Sequence, residues 1–307
     1  MYFHSDHAKL SLGLMNKKIR AVVLYALFAF LPGVLRAGTV ESVPQDLPLK
    51  TGQIIGISEM IKDPSTFFFE ALTGSRYGHI GVIGEKENGR WQVYHSNPPA
   101  VQKSDISDFL ARSRDASGKL NFTLLEPASP LSNKKQKALL EQMRHMLGTP
   151  YNYEQHLNNR SVNCSEFVYK AFRNAGLERI GQIEKIINDT NFRSFDGELY
   201  GLYANPAMPL PKGAYGITPV SIVNSPNVRV VRARLPVERL LSDREIYESW
   251  KKGGGLKAFE RALGPIAALH KIDINDFMKK LDEASHKPEA LQPFRAYPLT
   301  WRQPQQK

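Results

Sequence analysis

The 307-residue chain carries 41 Lys and Arg against 30 Asp and Glu, a formal net charge of +11, with 42% hydrophobic and 23% charged residues and one cysteine. Such a composition builds a core and argues against a disordered chain. A single cysteine excludes an intramolecular disulfide and a thiolate metal cluster, and the basic excess, dispersed as on a solvated surface, favours anionic surroundings such as lipid headgroups or wall polymers.

In chain order, the first segment is separable. Lys17-Lys18-Ile19-Arg20 is a basic cluster, residues 21–31 are uninterruptedly apolar, and Pro32, Gly33, Ala37 and Gly38 follow. That is the layout of a secretory signal, and the apolar run is short for a membrane span. Residues 1–38 therefore read as an N-terminal extension and signal peptide, with Met15 as the expected true start. Leu35 or Arg36 stands where a cleavage site prefers a small residue, which leaves an uncleaved membrane anchor as the alternative. The expected location is periplasmic or secreted, and export argues against nucleic acid as a partner.

Residues 39–235 read as one domain. An extended lead-in over 43–50 precedes a short buried strand over 53–57. Residues 64–72 read as a helix whose Phe67-Phe68-Phe69 run belongs to the core. Two β-like runs, 77–84 and 90–96, flank the turn signal Asn88-Gly89, predicting a hairpin. Residues 120–125 form a further strand. Residues 132–147 form a helix with Ala138, Leu139, Met143, Met146 and Leu147 on one face, ended by Gly148 and Pro150. The next helix, 165–175, buries Phe167, Val168, Ala171, Phe172 and Ala175 and stops at Gly176. Residues 200–219, rich in Gly and Pro, are long for a connector and suggest a binding surface. A strand returns over 228–235. Beyond Pro236 the pattern is helical and charged, broken at Gly253-Gly254-Gly255, so residues 236–307 read as a small helical appendage.

Cys164 sits in Asn163-Cys164-Ser165-Glu166-Phe167-Val168, where loop becomes helix. Asn163 can cap that helix and Glu166 complete a capping box. The sulfur would then lie among unpaired N–H groups at the positive helix end, both of which lower a thiol pKa. An ordinary capped helix with a buried, inert cysteine is the plainer alternative.

The histidines come from the hairpin. His79, Gly81 and Ile83 share one strand face, and Trp91, Val93 and His95 share a face of the other. An odd-length loop centred near Glu87 would oppose His79 and His95 directly, with Cβ atoms about 4.5–5.5 Å apart. A two-residue Asn88-Gly89 turn would place them on opposite faces. Thiol acyl chemistry needs a nucleophile, an imidazole and a third group that fixes the imidazole tautomer; Cys164, His79 and His95 fit those roles. The Cys164 N–H is one oxyanion donor, and the Tyr151 hydroxyl is a candidate second, with a packed loop aromatic as the alternative.

Gly52-Gln53-Ile54-Ile55, Tyr77-Gly78-His79-Ile80-Gly81-Val82, Val93-Tyr94-His95, Gly148-Thr149-Pro150-Tyr151-Asn152 and Asn163-Cys164-Ser165-Glu166-Phe167-Val168, in this order, resemble the permuted NlpC/P60 superfamily, specifically its YiiX/YebB-like branch. Residues 217–226 resemble its closing segment. The resemblance runs from about Gly52 to Leu235 and implies an α+β papain-like fold, an antiparallel sheet packed on helices. It also implies Cys164 as nucleophile, His79 as base, His95 at the third polar position and Tyr151 near the oxyanion. Gln53 stands where the family usually has aspartate, and His95 where many YiiX-like members have glutamate. Two histidines with Asn-Cys also resemble the lecithin:retinol acyltransferase-like relatives.

Three functions follow as expectations. The first is a cysteine amidase or peptidase acting on cell-wall peptide. The second is a thiol acyltransferase or phospholipase acting on lipid esters, with the phenylalanine helix or residues 200–219 at the membrane. The third is a non-catalytic binding module in which Cys164 is buried with an ordinary thiol pKa. None needs a cofactor, and His145 and His156 lack metal-ligand spacing.

Overall fold

The computed structural model of the chain describes residues 41–286 except 63–65, 68–69, 71–74, 153–156, 158–159, 182, 186–214, 238–240, 242 and 270–272. The signal segment, Phe68, Phe69, His156 and the Gly/Pro-rich stretch up to residue 214 lie outside the described residues.

A six-stranded antiparallel sheet has the order β4-β3-β2-β1-β5-β8. Its strands are β1 Ile54–Ile57, β2 His79–Glu87, β3 Arg90–Asn97, β4 Ala100–Asp105, β5 Phe122–Pro127 and β8 Val228–Ala233, while β6 Glu184–Lys185 and β7 Tyr215–Gly216 pair separately. The helices are α1 Ile106–Ala111, α2 Asn133–His145, α3 Cys164–Asn174, α4 Pro219–Val223, α5 Asp243–Lys252, α6 Gly255–Leu269 and α7 Ile274–Ser285.

β1 is apolar at every position but Gly56 because helices cover both sheet faces. Ile54, with Ile80 and Val82, packs under α2 and α3 against Leu139, Met143, Phe167, Val168 and Phe172. Ile55, Ile57 and Ile83 face the other way, onto Phe109 and Leu110 of α1. This layering fulfils the α+β expectation. β4 and α1, which sequence periodicity does not reveal, complete the sheet edge and its second face.

The hairpin departs from both registers considered from sequence. Asn88 and Gly89 have φ of 50° and 79° and form a two-residue turn, with Glu87 opposite Arg90 and Lys86 opposite Trp91. Further along, Ile83 pairs with Val93 and Val82 with Tyr94. Gly84 and Glu85 therefore face Gln92 alone, a β-bulge that shifts the side-chain parity by one. The tight turn by itself would have put His79 and His95 on opposite faces; the bulge returns them to the same face, as diagonal neighbours instead of the directly opposed pair. Glycine is required at the bulge because a Cβ on Gly84 would stand 2.5 Å from the Tyr94 ring.

The C-terminal helices build their own cluster. Ile246, Tyr247, Trp250, Phe259, Leu263, Phe277 and Leu281 pack with Met60 and with Phe67, which is helical, from the segment after β1. Phe67 is thus core, in ring contact with Trp250 at 5.1 Å and Phe259 at 5.2 Å. Among the described residues no helix is long and apolar enough to cross a membrane.

Candidate active site

Cys164 is the first residue of α3, and the predicted capping box is present: Glu166 N–H donates to Asn163 Oδ1 at 2.9 Å and Asn163 N–H to Glu166 Oε2 at 3.2 Å. The buried Glu166 carboxylate also accepts from Asn152 Nδ2 at 3.2 and 3.1 Å. Asn152 N–H donates to Val162 O at 3.0 Å, and Ser96 Oγ donates to the same carbonyl at 2.7 Å. The turn that presents the sulfur is therefore tied to its own helix, to the 150–152 segment and to β3 beside His95. Neither Asn152 nor Ser96 is singled out by the sequence, since their contacts are long-range; Asn152 follows Tyr151 directly and is the nearest such signal.

Tyr151 forms a parallel bridge with Val162, two residues before Cys164, and its N–H donates to Pro99 O at 2.9 Å. The backbone thus brings Tyr151 to the cysteine turn.

His79 opens β2, pairs with Ile57 of β1 and is buried, as is His95 on β3. His79 Nε2 lies 2.9 Å from His95 Nδ1, and His95 Nε2 lies 3.0 Å from Ser104 Oγ on β4. Phe109 packs against both rings, at 5.5 Å from His79 and 5.1 Å from His95. The amide of Ile80, the residue after His79, meets the Cys164 thiol. The structure therefore joins His79 to His95 through their ring nitrogens and brings the backbone beside His79 onto the Cys164 thiol.

Their electrostatics correct one expectation. Burial pushes the Cys164 thiol up to about 11, helped by the nearby Glu59 charge and opposed by the Ser165 hydroxyl and the amides of Ile80 and Ser165. The helix start does lower the thiol pKa, as expected, but desolvation outweighs it. Burial likewise holds His79 well below the ordinary histidine range, with the Arg112 and His95 charges adding to it, and takes His95 down to about 3, with Arg112 second. Thiol and imidazoles are all neutral near pH 7. Arg112 was not visible as a site residue in the sequence. It ion-pairs with the buried Glu59 and donates from Nη2 to Asn97 Oδ1 at 2.8 Å. The described residues contain no group of three or more His, Cys, Asp or Glu suited to holding a metal ion.

A cysteine at a helix start, met by the backbone amide next to a histidine that opens a strand earlier in the chain, is the arrangement of a papain-like cysteine hydrolase of permuted order. The chain belongs to the family of permuted papain-like amidase enzymes, the YaeF/YiiX or C92 family, whose model matches residues 49–232. A similar solved structure, the metalloprotein yiiX from Escherichia coli O157:H7, is 22% identical with a TM-score of 0.50, over 61% of this chain and 98% of that one. That likeness supports the fold. No curated protein matches. Helices α5–α7 lie beyond the family match.

Proposed function

We propose that this chain is an exported thiol amidase that cleaves an amide bond in cell-wall peptide, with Cys164 as nucleophile and His79 as base. The observation that carries the reading is the use of the His79 ring. Its Nε2 is engaged by His95 at 2.9 Å, so Nδ1 is the nitrogen left to serve the thiol. The Cys164 sulfur meets the amide of the adjacent residue, Ile80.

Because thiol and imidazole are both neutral, the proton moves in the same event as the attack. The Sγ–H proton passes to His79 Nδ1 while sulfur bonds to the carbonyl carbon. Negative charge gathers on the carbonyl oxygen, where the Cys164 N–H and the Tyr151 hydroxyl are the assigned donors. The C–N bond then breaks, and His79 returns its proton to the leaving amine. A water, deprotonated by His79, attacks the thioester, releasing the acid and restoring the thiol. Transfer between two neutral groups suits a buried site, since the charges form only as a pair.

The peptide reading rests on family membership in amidases, the signal-like segment at residues 17–38 and the basic charge that suits an anionic envelope. The lipid-ester reading loses support because Phe67, one of its membrane elements, is enclosed by Trp250 and Phe259. The binding-module reading shares the buried thiol but leaves the ordered His79–His95 pair without a task. Cell-wall peptides and lipid esters offered side by side test the proposal. Amide cleavage lost in Cys164→Ala is expected; cleavage of lipid esters alone would overturn the substrate class.

A further inference from the structure

Strand β4 sends one more polar group to the site. Ser104 Oγ lies 3.0 Å from His95 Nε2, so His79, His95 and Ser104 form one hydrogen-bonded line. The apolar Phe109 packs against both imidazoles, which leaves the ring nitrogens as the polar contacts.

We propose that Ser104 is a positioning residue: it holds His95 as its Nε2–H tautomer and thereby keeps His79 Nδ1 bare toward the thiol. This rests on the thiol mechanism above. For His79 to accept a proton at Nδ1, its own proton must sit on Nε2. That N–H donates to His95 Nδ1, which must then be bare. The His95 proton is therefore on Nε2, and the acceptor it meets is Ser104 Oγ. A carboxylate at position 95 would accept from His79 through either oxygen and have no tautomer to set. A neutral histidine there needs a further acceptor, because the bond made by one ring nitrogen sets the proton on the other. When His79 becomes an imidazolium, its Nε2–H stays directed at a bare nitrogen whose far side is anchored on β4.

The full chain, labelled with ¹⁵N at histidine, reports the tautomers of His79 and His95 by long-range ¹H–¹⁵N correlation near neutral pH. Both are expected as Nε2–H. In Ser104→Ala, His95 should shift to a mixture or to Nδ1–H, with kcat for peptide amide falling about three- to tenfold at unchanged KM. Ser104→Thr, which keeps the hydroxyl, should restore both readouts. An Nδ1–H His95 in the parent protein would overturn the proposal. So would an unchanged tautomer in Ser104→Ala, even with lower activity, since Ser104 would then serve packing alone. The tautomers are read without turnover, so activity surviving in Cys164→Ala would sink the thiol mechanism by a separate observation.

Discussion

Ser58 and Glu59 are neighbours just after β1 and lead into two different buried polar clusters. Ser58 belongs to the first. Its Oγ donates to Glu70 Oε1 at 2.6 Å and accepts from Arg76 Nη2 at 3.2 Å, while Arg76 Nε meets Glu70 Oε2 at 2.9 Å. Trp250 Nε1 of α5 donates to Glu70 Oε2 at 2.7 Å, and Arg76 Nη1 to the Ser249 hydroxyl. Glu59 borders the second: its charge acts on the Cys164 thiol, which meets the amide of Ile80 next to His79, and His79, His95 and Ser104 form a hydrogen-bonded line. The first cluster is charged and paired; the second is a line of neutral groups. A paired network holds geometry, and here it holds the C-terminal helices to the segment that leads into His79. A neutral line with a bare ring nitrogen at its end can take a proton and return it. Burial alone does not mark a catalytic group; the protonation states and the direction of the donors do.

Substitutions should therefore separate the clusters, the largest effect coming from the thiol. Cys164→Ala is expected to lower turnover at least about a thousandfold, His79→Ala nearly as far because the two act as a unit, and thermal unfolding should move little. Turnover retained in either variant would break the contrast. Arg76→Ala should do the reverse. Leaving the Glu70 carboxylate buried and unpaired costs about 3–5 kcal/mol, measurable by denaturant unfolding, while kcat of the folded fraction holds. Trp250→Phe, which removes one donor to a charged group, should cost about 1–3 kcal/mol by the same measurement.

The neutral cluster has its own pH signature. Unfolded histidines bind a proton below about 6.5, whereas folded His95 does so only near 3. Below about 6.5 the unfolded state thus binds more protons, so stability is full above that pH and falls as pH drops toward 3. His95→Gln should flatten this slope, and an unchanged slope would remove His95 as its source. The smallest effect is on the free thiol. Iodoacetamide alkylation of Cys164 should be slow at neutral pH, with a midpoint above the free-cysteine value of about 8.5. A midpoint below that would mean that His79 already carries the proton in the resting protein.

The thiol also shows where sequence reasoning stops. The cap, the helix and the signs of the local N–H contributions were all legible around Cys164, yet the net shift runs the other way. Desolvation sums over atoms contributed by the whole fold, and nothing within a few residues of Cys164 reports that sum. Ser104 was out of reach for a related reason: β4 offers no clean alternation, and its partner His95 is nine residues away through a turn.

What the sequence determined by itself was local. Asn163 and Glu166 close a capping box within three residues, so α3 must begin at Cys164; Asn88-Gly89 supports positive φ at both positions, so β2 and β3 must form a hairpin; and the order of the motifs carried the family. The tertiary structure alone decided whether that hairpin made a site. Gly84 accommodates the Tyr94 ring, Gly84 and Glu85 bulge against Gln92, and the parity change turns His79 toward His95. A one-residue shift in pairing exchanges the faces of every side chain beyond it, and which register prevails is set by packing against β1, α1 and α3, elements far from the turn in the chain.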